Sequence, residues 1–189
     1  MTSRERVLAA INHQQPDRVP IDFGATGQTG ISVCALYRLR EYLGLPKKDL
    51  DVFEIVQMLG VVDEDLRQIM KSDVIGMNHP EDSLGVPDTG KKKLFRMPDG
   101  TPTLINAGNE FDILPDGSVQ MYPQGDRTAP PSIYMPAGGY FFDIIDRAPE
   151  YDEDNLTPPR GLQELLLCHV GRDRTLLRKG VQAPVHRDR

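Results

Sequence analysis

Four polar side chains at the ends of two short apolar segments are the candidate ligand-binding residues of this chain. Asp22 and Gln28 lie at and after the end of one segment, and Asn78 and His79 follow the other. Carboxylate, amide and imidazole groups can hold the polar parts of a small molecule by hydrogen bonds. These residues therefore predict a substrate-binding site. The plainer interpretation makes Asp22 and Gln28 ordinary strand and turn residues and His79 a hydrogen-bonded loop histidine.

Two other motifs could carry chemistry, and the sequence argues against both. Residues 24–30 read G-A-T-G-Q-T-G, which looks like a phosphate-binding loop but lacks the Gly-Lys-[Ser/Thr] ending. The chain has two cysteines, Cys34 and Cys168, too few and too far apart for a zinc site or a disulfide framework. Cys34 has apolar neighbours and reads as a small core residue. The sequence therefore predicts no nucleotide site and no metal site.

Composition limits the classes of function. The chain has 189 residues, of which 39% are hydrophobic and 26% charged, as in an ordinary globular domain. Its net charge of −6 argues against nucleic-acid binding. It has no apolar run of the roughly 20 residues that cross a bilayer, and its charged N-terminal helix lacks the apolar region of a signal peptide. We therefore expect a cytoplasmic protein without a membrane partner.

The N-terminal helix is predicted from its cap and its apolar spacing. Thr2 or Ser3 can cap it, and Pro16 follows its end. Val7, Leu8 and Ile11 recur at helical intervals, so we expect that stripe to face the core.

The next segments predict a parallel sheet. Residues 21–23 and 73–77 are apolar and read as buried strands, and the sequence between them predicts helices at 31–43, 51–59 and 64–70. Strands joined through helices are normally parallel neighbours. This order would bring the 24–30 loop close to residues 78–79.

Two Asp-Gly pairs predict β-hairpins in the second half of the chain. Asp99-Gly100 and Asp116-Gly117 each lie between apolar runs, and glycine accepts the positive φ that a tight turn needs. An antiparallel lobe is therefore predicted at about residues 91–142, inserted into an α/β scaffold.

Two sequence segments resemble those of a known protein family. Residues 5–24 read E-R-V-L-A-A-I-N-H-Q-Q-P-D-R-V-P-I-D-F-G, and residues 72–76 read S-D-V-I-G. In this order they resemble the opening part of the uroporphyrinogen decarboxylase superfamily, in its methyltransferase-like branch. The resemblance implies a (β/α)₈ TIM barrel, which needs roughly 250 residues. We therefore expect residues 1–159 to be the N-terminal portion of an incomplete barrel carrying the hairpin lobe.

The C-terminal tail differs from the rest in charge. Residues 160–189 hold seven Lys and Arg against three Asp and Glu. An adjacent reading frame of its possible codons spells a string with helical spacing. We therefore interpret 160–189 as a doubtful basic tail that is out of frame.

The resemblance also implies a function. The decarboxylases hold substrate carboxylates with arginines of an M-R-Q-A-G-R segment, whereas residues 23–30 contain no arginine. Corrinoid-dependent methyl transfer is therefore favoured over tetrapyrrole decarboxylation. Zinc and corrinoid would be cofactors of a full-length relative, and Cys168-His169 has the wrong order for the family's zinc ligands. A tetrapyrrole or a corrinoid protein is the implied partner. The alternatives are an inactive fragment, which we expect to lack both activities, and a partner-binding module.

Overall fold

Two four-stranded sheets and three short helices form the part of the chain that the computed structural model describes, residues 1–77 and 79–147. This part corresponds to the first of two units, Met1–Asp146. Asn78, the predicted linker at 149–159 and the 160–189 tail lie outside the described residues.

The three helices lie in the first half of the chain, close to three of the predicted positions. They are α1 (Ser3–Ile11), α2 (Val33–Tyr42) and α3 (Glu64–Ile69). In α1 a capping box forms, because Thr2 accepts from the Glu5 amide and the Glu5 carboxylate accepts from the Thr2 amide. The predicted core-facing stripe of α1 is wrong. Its buried residues are Arg6 and Ala9, while Leu8 and Ile11 are 45% and 66% exposed.

The first sheet contains β1 (Leu50–Glu54), β2 (Leu59–Gly60), β3 (Lys92–Arg96) and β4 (Pro102–Asn106), in the order β2-β1-β4-β3. The predicted helix at 51–59 is therefore wrong. Burial alternates along β1, as in a strand with one covered face. The Glu54 carboxylate then accepts the amides of Val56 and Gln57, at 3.2 and 2.6 Å, which turns the chain into β2.

The second sheet is fully antiparallel, in the order β5-β6-β7-β8. Its strands are β5 (Phe111–Ile113), β6 (Val119–Met121), β7 (Ile133–Met135) and β8 (Asp143–Ile144), with a short 3₁₀ helix at Pro123–Gly125.

Both predicted hairpins are confirmed. The β3–β4 and β5–β6 pairs are antiparallel, and Gly100 and Gly117 have φ of 87° and 85° at their turns. In each turn the aspartate before the glycine accepts the amide two residues on, at 2.9 Å. The two P-D-G-[TS] sequences therefore fold in the same way because the same carboxylate holds the same turn.

A shared hydrophobic core joins the two sheets. Phe95 of β3 meets Phe111 of β5 edge to face, with ring centroids 5.2 Å apart, and Phe142 lies 6.5 Å from Phe95. Aromatic pairs prefer this edge-on geometry. Ile105, Met121 and other residues of both sheets complete the core.

The predicted barrel start is wrong. Only the β1–β4 pair is parallel, and helices and strands do not alternate along the described residues. Residues 21–23 and 74–77 form no strand. One backbone hydrogen bond joins this region, from the Asp73 amide to the Ile21 carbonyl at 2.7 Å. Side chains accept the other amides: the Ile21 amide donates to the Asp73 carboxylate at 2.9 Å, and the Phe23 amide to the Ser72 hydroxyl at 3.2 Å. Such bonds compete with regular pairing.

A cluster of charged residues around the buried Asp73 side chain attaches the N-terminal segment to residues 72–73. We call Asp73, Arg6, Arg18 and Asp17 the Asp73 cluster. The Asp73 side chain is fully buried and accepts from Arg6 at 2.5 Å and from Arg18 at 2.7 and 3.0 Å. Arg6 also holds Asp17 through two bonds, at 2.6 and 2.9 Å.

The described helices are short: none of them in residues 1–77 and 79–147 is long and apolar enough to cross a bilayer.

Candidate functional site

A cavity of about 960 Å³ lies against the first sheet. One wall of the cavity is a face of this sheet, and the side chains on it are those that alternate with the core residues along each strand. In β1 the side chains of Leu50 and Val52 are buried, so Asp51 and Phe53 point to the other face. Lys92 of β3 is paired with Asn106 of β4, which places both on one face. Asp51, Phe53, Lys92 and Asn106 all line the cavity.

Three of the four predicted ligand-binding residues line this same cavity. Asp22, Gln28 and His79 are among its lining residues, and all three are exposed. Asn78 lies outside the described residues, so its part in the site stays a prediction. The Asp22 carboxylate accepts the Ala25 amide at 3.0 Å, which makes it in part the turn residue of the plainer interpretation. The 24–30 loop and His79 therefore line one cavity, although the strands that were expected to bring them together do not form.

The lining carries an excess of negative charge. Among the described residues it contains five carboxylates and two cations. The carboxylates belong to Asp22, Asp51, Glu81, Asp82 and Asp88, and the cations to Arg67 and Lys92.

Both cations already have partners. Arg67 donates to Glu64 at 2.6 and 2.7 Å and to the Ser72 carbonyl at 3.2 Å. Lys92 lies 3.6 Å from Asp88. The pKa of Asp88 is lowered, first by the hydrogen bond from the Gly90 amide and then by the Lys92 charge. No described residue forms a hydrogen bond or ion pair with the Asp51 carboxylate. The cavity therefore offers negative potential that the chain does not neutralise.

Asp82 and Asn109 form a polar pair in the cavity wall. Asp82 accepts the amides of Leu84 and Val86 at 2.9 and 3.1 Å, and its other oxygen accepts Asn109 Nδ2 at 2.8 Å. Asn109 is 1% exposed, and its Oδ1 has no hydrogen-bond partner among the described residues. Because a carboxylate can only accept, the nitrogen must face Asp82 and the oxygen must be the unpartnered atom.

The apolar part of the lining comes from the loops around the sheet face. Phe53 and Val62 are half-buried there, while Ile75 and Met77 are 72% and 89% exposed. A mixture of apolar surface with a few polar groups is typical of small-molecule sites.

Metal and thiol chemistry find no support in the described residues. They contain no group of three or more His, Cys, Asp or Glu side chains placed to hold a metal ion. Burial, the largest effect, raises the pKa of Cys34 to about 11, so its thiol stays protonated at neutral pH. Cys168 and His169 lie outside the described residues.

Sequence reasoning missed Asp51, Phe53, Asp82 and Asn109. The alternation of β1 was the available signal for Asp51 and Phe53, and interpreting 51–59 as a helix hid it. Asp82 and Asn109 are 27 residues apart, so no local pattern links them.

No protein-family model, curated protein or solved structure is significantly similar to this chain. The resemblance to the uroporphyrinogen decarboxylase superfamily therefore stays a prediction from the sequence. The cavity is the structural feature that bears on function.

Proposed function

We propose that the chain binds a small organic molecule in the cavity beside the first sheet. The observation that supports this most is the sheet face itself. Asp51 and Phe53 of β1 and Asn106 of β4 project from the face opposite the core and line a cavity of about 960 Å³. Binding sites for drug-sized molecules have roughly 300–1,000 Å³ and a mostly apolar lining.

The charge of the lining narrows the ligand. A polycarboxylate such as a tetrapyrrole would meet five carboxylates and two cations that are already paired. Repulsion between like charges disfavours such binding. Among the reactions implied by the resemblance, tetrapyrrole decarboxylation is therefore the poorer fit, and incubation of the chain with uroporphyrinogen should give no product.

Corrinoid-dependent methyl transfer remains a proposal that rests on the family resemblance of the sequence segments at residues 5–24 and 72–76. The Asp73 cluster gives several of their charged residues a structural role. A non-catalytic binding function is therefore the one that the cavity supports best. A cytoplasmic location belongs to the same proposal.

A thermal-shift screen tests cavity binding. The full chain is heated with neutral, anionic and cationic organic fragments, since a ligand that binds only the folded state raises Tm with its concentration. Phe53→Ala removes an apolar part of the cavity wall. Leu94→Ala is the matched control, because Leu94 is 47% exposed on the same sheet and does not line the cavity.

We expect fragments that raise Tm in the wild type and in Leu94→Ala, and lose at least half of that effect in Phe53→Ala. A screen in which no fragment raises Tm, or in which Phe53→Ala responds like the wild type, would overturn the proposal.

A further inference from the structure

We infer that the ligand of this cavity is an organic ammonium ion, a primary or secondary amine in its protonated form attached to an apolar body. The inference rests on the proposed function and specifies its ligand. Two independent observations support it: the uncompensated carboxylates and the unpartnered oxygen of Asn109.

The carboxylates select the sign of the ligand's charge. The Asp51 carboxylate has no hydrogen-bond or ion-pair partner among the described residues, and the two cations of the lining are paired with Glu64 and Asp88. A concave surface lined by one sign of charge concentrates ions of the opposite sign. The ligand is therefore a cation.

Asn109 Oδ1 selects the chemical type of the cation. A buried acceptor without a partner costs free energy that a donor would recover. Its own Nδ2 is held by Asp82 at 2.8 Å, so an N–H donor at Oδ1 would also lie near a carboxylate. Oδ1 is closed to solvent, and Asn109 is one of the residues that line the cavity. An ammonium N–H fits this acceptor, whereas a fully methylated ammonium has no hydrogen to donate.

The apolar surface selects the body of the ligand. Phe53, Val62 and Ile75 line the same cavity as the carboxylates, so an aromatic or branched hydrocarbon next to the ammonium would be covered. A small inorganic cation would leave this surface unused, and the described residues contain no cluster placed to hold a metal ion.

Calorimetric titration of the full chain with four related probes tests the inference. The probes are 2-phenylethylammonium, its N,N,N-trimethyl analogue, the neutral 2-phenylethanol and the anionic 3-phenylpropionate. They share a phenyl group and a short linker and differ in charge and in the N–H donor.

We expect 2-phenylethylammonium to bind about tenfold more tightly than 2-phenylethanol, whose hydroxyl can donate but carries no charge. We also expect it to bind about tenfold more tightly than its trimethyl analogue, which corresponds to one hydrogen bond. The anion should bind most weakly. Equal affinity for all four probes would overturn the ammonium inference and leave the cavity a general binding site. Equal affinity for the two cations would assign the effect to charge alone and exclude Asn109 Oδ1 as the acceptor. Failure of every probe, together with a negative fragment screen, would remove the proposed function as well.

A pair of variants separates the cavity's field from overall charge. Asp51→Asn and Asp49→Asn remove the same charge from two exposed residues, but only Asp51 lines the cavity. We expect Asp51→Asn to weaken 2-phenylethylammonium about two- to fivefold and to leave 2-phenylethanol unchanged. Asp49→Asn should change neither. An equal loss in both variants would contradict binding in this cavity.

Discussion

The Asp73 cluster and the cavity both concentrate carboxylates, and they differ in how far the chain satisfies them. Asp73 is fully buried and accepts four hydrogen bonds, from Arg6, twice from Arg18 and from the Ile21 amide. In the cavity the Asp51 carboxylate has no hydrogen-bond or ion-pair partner among the described residues, and the side-chain oxygen of Asn109 is also unpartnered there. Acceptors that are hydrogen-bonded within the chain stabilise its fold, whereas acceptors without such a partner can accept a hydrogen bond from a ligand.

The two family-like segments, residues 5–24 and 72–76, contribute little charge to the cavity. Of their charged residues only Asp22 lines it. Four other charged residues of these segments attach the N-terminal part of the chain to residues 72–73. They are Arg6, Asp17, Arg18 and Asp73. The largest share of the cavity's polar side chains comes from residues 81–109, with Asp51 from β1 and Asp22, Thr26 and Gln28 from the loop that follows Ile21. The charged residues of a short sequence segment can therefore attach that segment to the rest of the fold without taking part in a functional site.

Asp73→Asn should give the largest effect. Removing the charge leaves two arginines facing a neutral group, and loss of one partner of a buried ion pair costs about 3–5 kcal/mol. Urea unfolding of the full chain measures this change. A loss below about 1 kcal/mol would show that the Asp73 cluster is not a main support of the fold. Glu64→Gln is the control, because that carboxylate is 60% exposed in its pair with Arg67 and should matter much less.

Acid should abolish the difference between wild type and Asp73→Asn. Burial disfavours the Asp73 carboxylate, but hydrogen bonds from Ile21, Arg18 and Arg6 outweigh it and lower its pKa to about 2. A depressed folded-state pKa gives stability that is present above the unfolded value near 4 and lost as pH falls towards 2. The gap in unfolding free energy should therefore be full at pH 5 and shrink between pH 4 and 2. A gap that stays constant would contradict the assignment.

Asp51→Asn should give the smallest effect on stability. The same chemical change that damages the Asp73 cluster removes no contact within the described residues here. Surface changes of this kind stay within about 0.5 kcal/mol. Urea unfolding in the absence of ligand checks this, and a loss approaching that of Asp73→Asn would mean that Asp51 has a structural role.

Local signals predicted part of this fold. The Thr2 cap of α1 and the turns at Gly100 and Gly117 each depend on residues within a few positions of one another. Such contacts can be inferred from the sequence because the partners are neighbours along the chain.

Distant contacts explain the rest. Residues 21–23 and 74–77 have the apolar composition of strands, but Ser72 and Asp73 bind the backbone amides that a ladder would need. Arg6 is buried in place of Leu8 because Asp73, 67 residues away, supplies its partner. Of the predicted site, Asp22, Gln28 and His79 do share a cavity, whereas the Asp82–Asn109 pair depends on tertiary contact that no local pattern encodes.

Two-dimensional ¹H–¹⁵N NMR spectra of the full chain, recorded during titration with 2-phenylethylammonium, test the central claim most directly. The account predicts concentration-dependent shifts of the Asn109 side-chain amide and of the backbone amides of Asp51 and Asp82. The Ile21 amide, which donates to Asp73 at 2.9 Å, should stay in place. Shifts centred on Ile21 and Asp73, with Asn109 and Asp51 unmoved, would contradict the division between a satisfied structural cluster and a ligand-binding cavity.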